Sequence, residues 1–378
     1  RQLWLDNDFY GDVFSLQYAK SGTELTLGGA WSNYLGNHFG KVTWAANGLP
    51  EGAKTWYDHD AIKKDFHLYT KLQQDLSKNL QAFVDLQLRK VNYSIDGFRD
   101  NPALTVDQRY SFFNPKAGLT YHTNNLTAFA SYSIGNKEPN RDDFEASVSD
   151  LPKPERLHDV ELGVEKKEKN YAVGATVYYM KYNNQLVLTG KINDVGAYTR
   201  TNIADSYRLG IEFQGAVNIT NWLKGSANLT LSRNKISNFN EYIDDYDNGG
   251  QKVNFYRETD ISFSPDLMGA ATLSLQPVSK LSVDLLSKYV GKQYLDNTSN
   301  EGRRLNAFYT QDIRAAYSFQ KQFVKNIDLV LQVNNLFNKK YEPNGYTFSY
   351  YAGNELTTEN YYFPMAGTNW MVGLNIRL

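Results

Sequence analysis

The chain has 378 residues, with 40 Lys and Arg against 41 Asp and Glu, and this near-neutral balance gives no argument for a nucleic-acid partner. Charged residues reach 21%, mean hydropathy is −0.55, and no stretch approaches the ~20 consecutive apolar residues of a transmembrane helix. The absence of Cys excludes disulfide scaffolds and thiolate metal sites.

Length alone would suggest about two to three soluble domains. Aromatic content shifts that expectation, at 14% with 28 Tyr, against only 10 Pro. A membrane barrel turns one face of each strand to lipid and the other to a wet lumen. It is therefore apolar only at every second position, and its average hydropathy stays low. The chain opens at Arg1 with neither Met nor a signal peptide. The expectation is of a truncated chain, not of a cytoplasmic protein.

From the N-terminus, tight turns fall at Ser21-Gly22, 77–79, 123–125, 168–170, 220–222 and 277–280, with a looser one over 320–326. Longer polar segments alternate with them, near 34–63, 92–107, 136–154, 183–203, 234–262, 292–304 and 339–366. Outer-membrane barrels alternate in this way, because their periplasmic turns are short and their extracellular loops long. Seven connections of each kind join about fifteen antiparallel strands.

The clearest early strand is Leu80–Arg89. Leu80, Ala82, Val84, Leu86 and Leu88 share one face, and Gln81, Phe83, Asp85, Gln87 and Arg89 the other. A period of two requires a strand with unlike faces. The apolar set is expected to face lipid and Gln81, Asp85, Gln87 and Arg89 the lumen, since Arg or Lys toward lipid at the midplane costs about 2–4 kcal/mol. The segment 126–133 alternates likewise. So does 327–334, where Leu329, Leu331 and Val333 oppose Asp328, Gln332 and Asn334. In the last ten residues Trp370, Val372, Leu374, Ile376 and Leu378 alternate with Asn369, Met371, Gly373, Asn375 and Arg377. The fold class is all-β, a transmembrane antiparallel β-barrel.

Bacterial single-chain barrels have even strand numbers. If the terminal strand ends in the periplasm, the first strand here descends, and at least one upward strand is expected before Arg1. Spanning strands must close into a ring, because an open edge leaves backbone groups unpaired in hydrocarbon. The edges near 12–20 and 369–378 are accordingly expected not to meet each other.

Nothing supports catalysis, and the chain is read as a non-enzyme without a cofactor. The five His (His38, His59, His67, His122 and His158) are scattered. Acidic clusters such as Asp142-Asp143 and Asp244-Asp245 lie in polar segments, where a solvated face is the default. The stretch Asp244–Gly249 has the close carboxylates and Gly turn that suit Ca²⁺, but it lacks the downstream bidentate Glu of a complete loop. No metal site is assigned. Trp44, Trp56, Tyr346, Tyr350 and Tyr351 lie in the long segments, where large amphipathic rings suit ligand contact. The same rings suit packing of loops against one another, and both readings stand. Trp222 and Trp370 read as interfacial girdle residues.

The run Ser131-Tyr132-Ser133-Ile134-Gly135-Asn136-Lys137-Glu138-Pro139-Asn140-Arg141-Asp142-Asp143-Phe144 resembles the mid-barrel signature of TonB-dependent outer-membrane receptors. It is followed by Leu151-Pro152-Lys153-Pro154-Glu155-Arg156 and Val160-Glu161-Leu162-Gly163, which also fit. The segment 333–341 is similar to their penultimate-strand motif, and 363–370 leads into a terminal strand of the same type. With these motifs, the opening Trp4–Gly11 resembles receptors of the Bacteroidetes lineage. The similarity covers essentially the whole chain.

The resemblance implies a barrel of twenty-two strands around a plugged lumen, of which residues 1–378, a single partial barrel domain, would be the eighth to the twenty-second. The plug and first strands would precede Arg1. The motifs read chiefly as structural corners, with Asn and Gly where strands end and Pro where they cannot continue. Trp370, Gly373, Leu374, Ile376 and Leu378 resemble the terminal signal recognised by the barrel-assembly machinery, although Leu stands where the family more often has Phe. Implied partners are TonB through the missing N-terminal region, the assembly machinery, outer-membrane lipid and lipopolysaccharide, and a surface lipoprotein. The implied location is the Gram-negative outer membrane.

Three functions compete: an energy-coupled importer, a receptor-like barrel serving as an accessory subunit of a larger complex, and a passive channel or barrel enzyme. Simple porins have ~16–18 strands and no plug, which sets the third apart. Among family substrates, haem is disfavoured because Asp150-Leu151-Pro152-Lys153 stands where an Asn-Pro-x-Leu motif would be expected. Glycan-importing members are usually longer and end differently. A ferric siderophore is the expected substrate.

Overall fold

The computed structural model describes residues 1–49, 54–146, 151–192, 198–321 and 324–377. Leu378, Asp150 and residues 322–323 of the looser turn lie outside them.

Twenty strands succeed one another among the described residues. The first ten are β1 (Gln2–Lys20), β2 (Thr23–Lys41), β3 (Thr55–Asp75), β4 (Leu80–Asp96), β5 (Thr105–His122), β6 (Leu126–Lys137), β7 (Glu155–Lys167), β8 (Tyr171–Ile192), β9 (Tyr198–Asn218) and β10 (Leu223–Asp245). Then come β11 (Gln251–Asp260), β12 (Leu267–Val278), β13 (Leu281–Val290), β14 (Gln293–Tyr294), β15 (Arg304–Leu305), β16 (Phe308–Lys321), β17 (Val324–Asn334), β18 (Asn344–Ala352), β19 (Glu355–Phe363) and β20 (Asn369–Arg377). The only helix among the described residues is the six-residue α1 (Arg141–Ala146).

Eighteen of these strands share one sheet. Leaving aside β11, β18 and β19, which pair in the upper connections, fifteen run side by side as antiparallel sequence neighbours from β1 to β20. The expected count of spanning strands is met. The five extra strands fall in segments read from the sequence as polar loops. Among the described residues, β1 pairs only with β2 and β20 only with β17, so the two edges do not meet.

Short turns join the strands at one end, here the lower. At the first, Ser21 and Gly22 have φ of 48° and 79°, and Lys20 pairs with Thr23. Two successive positive φ values define the type I′ hairpin, whose twist matches that of the strands it joins.

The strands outrun the bilayer. About 9–11 residues cross the hydrocarbon, whereas β4 has 17 and β10 has 23. In the lower half of β4, Val84, Leu86 and Leu88 are exposed, while Asp85, Gln87 and Arg89 are half-buried. Above Leu88 the two chemistries change sides. Lys90, Asn92, Ser94 and Asp96 now hold the outward face, and Val91 and Ile95 are buried on the inner one. The outward face turns from apolar to polar, and the inner face turns from polar to apolar packing under the upper connections. On β17 the expected apolar set is again exposed at Leu329 and Leu331.

One apolar residue breaks the alternation of β4, namely Phe83 on the inner face. Its ring lies over Gly118, the residue directly opposite on β5. The pattern recurs on the inner wall, with Tyr69 over Gly28, Phe129 over Gly163 and Tyr178 over Gly210. A Cβ on Gly163 would stand 2.2 Å from Phe129 Cε1, so only glycine admits the ring there.

Candidate functional site

The mid-barrel signature folds into a corner on the inner face. Glu138, which follows β6, takes hydrogen bonds from Arg89 Nη1 and Nη2 of β4 at 2.8 and 2.9 Å and from Lys63 Nζ of β3 at 3.0 Å. Arg89 also forks onto Asp65. Burial alone would raise the Glu138 carboxyl, but the donors from Arg89 and Lys63 outweigh it and hold the group below its usual range.

Next in the signature, Asn140 and Asp143 cap each other. Asn140 N–H donates to Asp143 Oδ2 at 2.8 Å, and Asp143 N–H to Asn140 Oδ1 at 3.0 Å. The other Asp143 oxygen accepts Arg200 Nε of β9 at 2.7 Å. Phe144 is fully buried among Ala61, Ile95, Phe98 and Val106, which come from three strands and the 97–104 connection. The signature thus ties β3, β4, β5 and β9 together under the loops, as its structural reading requires.

The penultimate-strand motif is a second corner. Asn335 (φ 50°) donates through Nδ2 to the carbonyls of Lys339 and Ala366, while its backbone N–H donates to Asp312 Oδ1 at 2.7 Å. Thr368 Oγ1 donates to the Asn335 carbonyl at 2.7 Å, which sets the entry to β20.

At the upper end, two hairpins far apart in sequence are clasped. Asp247, in the β10–β11 turn, accepts the backbone N–H groups of Gly353 and Asn354, at the tip of β18–β19, both at 2.8 Å. Positive φ at Gly353 and Asn354, 65° and 62°, is what aims two successive N–H groups at one carboxylate. Tyr246 N–H donates to the Tyr351 carbonyl, and the last two residues of β10 pair in parallel with Tyr350 and Tyr351. Asp245 accepts donors from Asn248 and Asp247 and an ion pair from Lys252 at 3.2 Å. Led by the Asn248 hydrogen bond, these hold its carboxyl down to about 2. The acidic stretch weighed for Ca²⁺ therefore turns its carboxylates to separate donors, with Asp244 toward Gln251 Nε2. No group of three metal-ligating side chains converges among the described residues.

Beneath the clasp lies a cavity of about 540 Å³. Thr199 and Ile203 of β9, Phe239 and Glu241 of β10, Asp296, Asn297 and Arg303 of the β13–β16 connection, and Thr347 and Phe348 of β18 contribute to its wall. Arg303 is buried and bridges Glu241 and Asp296. Its Nε has no partner among the described residues. Tyr256 donates to Glu241 Oε2 at 2.9 Å, and burial together with that carboxylate pushes the phenol up to about 12. Hydroxyl, amide and charged groups beside a Phe ring suit a polar ligand with some apolar surface. Sequence reasoning missed these residues, which lie in segments read as plain polar loops.

The five aromatic candidates fall into two groups. Trp44 stands exposed beyond β2, and Trp56 at the start of β3 lies edge-on to Tyr57 with the Arg1 guanidinium 4.1 Å from its ring. On β18, Tyr346 stacks on Tyr361 at 4.8 Å, Tyr350 donates to Glu359 at 3.0 Å, and Tyr351 lies under Lys252. No ring contact joins the two groups among the described residues. Trp370, Gly373, Leu374 and Ile376 line up on β20, whose residues are exposed throughout.

An all-β sheet of fifteen neighbouring strands, with short lower turns, long upper connections and an apolar outward band, defines an outer-membrane barrel wall. The family described as TonB dependent receptor-like, beta-barrel matches residues 1–336, and the chain belongs to it. Solved structures agree at the level of fold. The ferric-catecholate import receptor Fiu of E. coli K12 in its closed form is 15% identical with a TM-score of 0.70, over 98% of this chain and 55% of Fiu. The siderophore receptor PiuA of Acinetobacter baumannii is 15% identical with a TM-score of 0.70, over 99% of this chain and 56% of PiuA. The copper transporter OprC is 14% identical with a TM-score of 0.73, over 98% and 56%. The chain thus spans about half the length of these proteins. No curated protein matches it.

Proposed function

We propose that this chain forms the lumen wall and outer connections of an energy-coupled outer-membrane importer of the Bacteroidetes type, with a ferric siderophore as its substrate. The observation that supports the reading is the cavity under the clasped hairpins, at the end of the sheet that carries the long connections. The names of Fiu and PiuA, a ferric-catecholate import receptor and a siderophore receptor, favour an iron chelate over the copper of OprC. In this reading the chain supplies the eighth to twenty-second strands of a closed ring. A plug and a TonB-binding segment lie N-terminal to Arg1, and the barrel-assembly machinery reads β20.

The test is uptake of radioiron presented on catecholate, hydroxamate and citrate chelators by cells that depend on this receptor for growth in low iron. Uptake of one chelate, abolished by loss of TonB, is the expected result. Replacing Trp44 with Trp56, or Tyr350 with Tyr351, by Ala is expected to lower that uptake while heat-modifiable mobility still reports an assembled barrel. Iron-independent growth and no chelate uptake would refute the substrate. Uptake unaffected by the Ala pairs would remove those rings from the site.

A further inference from the structure

One edge of β10 pairs with β12 up to Leu231, and above Lys235 the same edge pairs with β11. Strand β11 itself pairs with β10 alone among the described residues. Its register shows which backbone groups are used. Asp245 N–H donates to the Gly250 carbonyl at 3.0 Å, so Lys252 and Asn254 exchange hydrogen bonds with Ile243 and Glu241. Val253 and Phe255 stand opposite Tyr242 and Asn240 in the alternate pairs, and they turn their N–H and C=O groups away from β10. Neither N–H has a partner among the described residues. Lower down, Asp260 N–H donates to Ser299 Oγ of the β13–β16 connection at 2.7 Å. The edge is covered at its base and open above.

Sheet edges are commonly guarded by short length, proline or charge. Strand β11 has ten residues without proline, and Val253–Tyr256 carries no charge. Tyr242, Val253 and Phe255 share one face of the hairpin and are each more than half exposed, with Ile243 buried on the other. The charges nearby are already matched, Lys252 with Asp245 at 3.2 Å and Glu258 with Arg233 at 2.9 Å. Arg257 is the exception. It is exposed and makes no ion pair among the described residues. The open edge therefore joins unused backbone groups, apolar side chains and one unmatched cation. A second copy does not suit it. Copies standing in one membrane are related by rotation about its normal, which gives their β11 strands the same vertical sense and denies them an antiparallel pair.

We propose that the outer edge of β11 receives an extended segment of another polypeptide as an added antiparallel strand. Main-chain hydrogen bonds to Val253 and Phe255 hold the segment, and alternate side chains set its identity. Apolar residues lie opposite Val253 and Phe255, and an acidic residue lies opposite Arg257. The exclusion of a second copy rests on the membrane reading; the choice of imported substrate plays no part.

The experiment titrates the full-length receptor in lipid nanodiscs with a fluorescent peptide, Thr-Glu-Thr-Val-Thr-Val-Thr, followed by anisotropy. In the antiparallel register its Glu meets Arg257 and its two Val meet Phe255 and Val253. Saturable binding is expected. Two N-methylated peptides, each blocking every second amide, should differ, one binding like the parent and the other failing. Val253→Pro and Phe255→Pro each remove an outward N–H without touching the β10 ladder, and each should weaken binding roughly fivefold. Arg257→Glu should weaken it about threefold, and Lys in place of the peptide Glu should restore it. If the proline variants do not assemble, the N-methylated pair carries the test on the wild-type protein. Absence of saturable binding, or equal affinity of the two N-methylated peptides, would overturn the added strand. A receptor dimer that Phe255→Pro dissolves would overturn it in favour of a second copy.

Discussion

Removing the Asp247 carboxylate tests whether the two upper hairpins are one unit. Asp247 accepts two backbone N–H groups, from Gly353 and Asn354, each at 2.8 Å. Hydrogen bonds to a charged group contribute about 1.5–3 kcal/mol when protected from water. This pair is exposed, so about 1 kcal/mol each, or 2 kcal/mol together, is the fitting magnitude. A local opening equilibrium should then rise roughly thirtyfold, since 1.4 kcal/mol is a factor of ten. Amide hydrogen exchange of the full-length receptor in detergent is the assay. In Asp247→Ala, Gly353 and Asn354 should exchange about thirtyfold faster, with β18–β19 following and β4–β5 unaffected. Asp244→Ala removes a carboxylate whose partner, Gln251, lies within the same hairpin, and it should leave the Gly353 amide unchanged. Unaltered exchange at Gly353 and Asn354 in Asp247→Ala would refute the clasp.

Three further outcomes follow from the geometry. Glu138→Gln removes the charge shared by Arg89 and Lys63, and the half-exposed state of those partners reduces the usual buried-pair cost to about 2 kcal/mol. An unchanged urea midpoint for the receptor in lipid vesicles would contradict it. The Asp245 carboxyl, held down to about 2, stays ionised in the folded protein while its unfolded counterpart has protonated. Its contribution to the β10–β11 turn should thus persist in full above about pH 4 and vanish as pH falls through about 2, read as exchange of the Asp247 and Asn248 amides, which it accepts, against acid. Gly163→Ala drives a methyl into Phe129 and should cost about 1–3 kcal/mol. Phe129→Ala in the same chain should recover much of that loss, and an additive double mutant would show that the two residues do not interlock.

How far the sequence could be read depended on what each face meets. Where lipid lies on one side and the lumen on the other, the period of two is strict, and Leu80 to Arg89 could be assigned face by face. Above Leu88 the outward residues turn polar and the inner ones apolar. The segments 34–63 and 183–203 therefore read as loops although strands run through most of them. Phe83 stands on the inner face because its ring rests on Gly118, a partner 35 positions away that nothing next to Phe83 announces. The candidate site was less legible for a different reason. Its clasp joins Asp247 to Gly353 across 106 positions, and nothing local in either stretch announces the other. The family motifs were legible as corners because Asn, Pro and Asp act within their own turns. Glu138 reaching Arg89 and Lys63 was not.

The rings laid over glycines on the inner wall set how much of the bore is open. An aromatic side chain directed inward would stand out into the lumen by most of its own length. Lying over Gly28, Gly118, Gly163 and Gly210, the four rings instead fill the space that a Cβ would take and stay close to the wall. The wall gains the grip of large side chains between neighbouring strands without giving up clearance. Enlarging any one of these glycines would tip its ring upright and narrow the passage at that height, even in a barrel that still assembled.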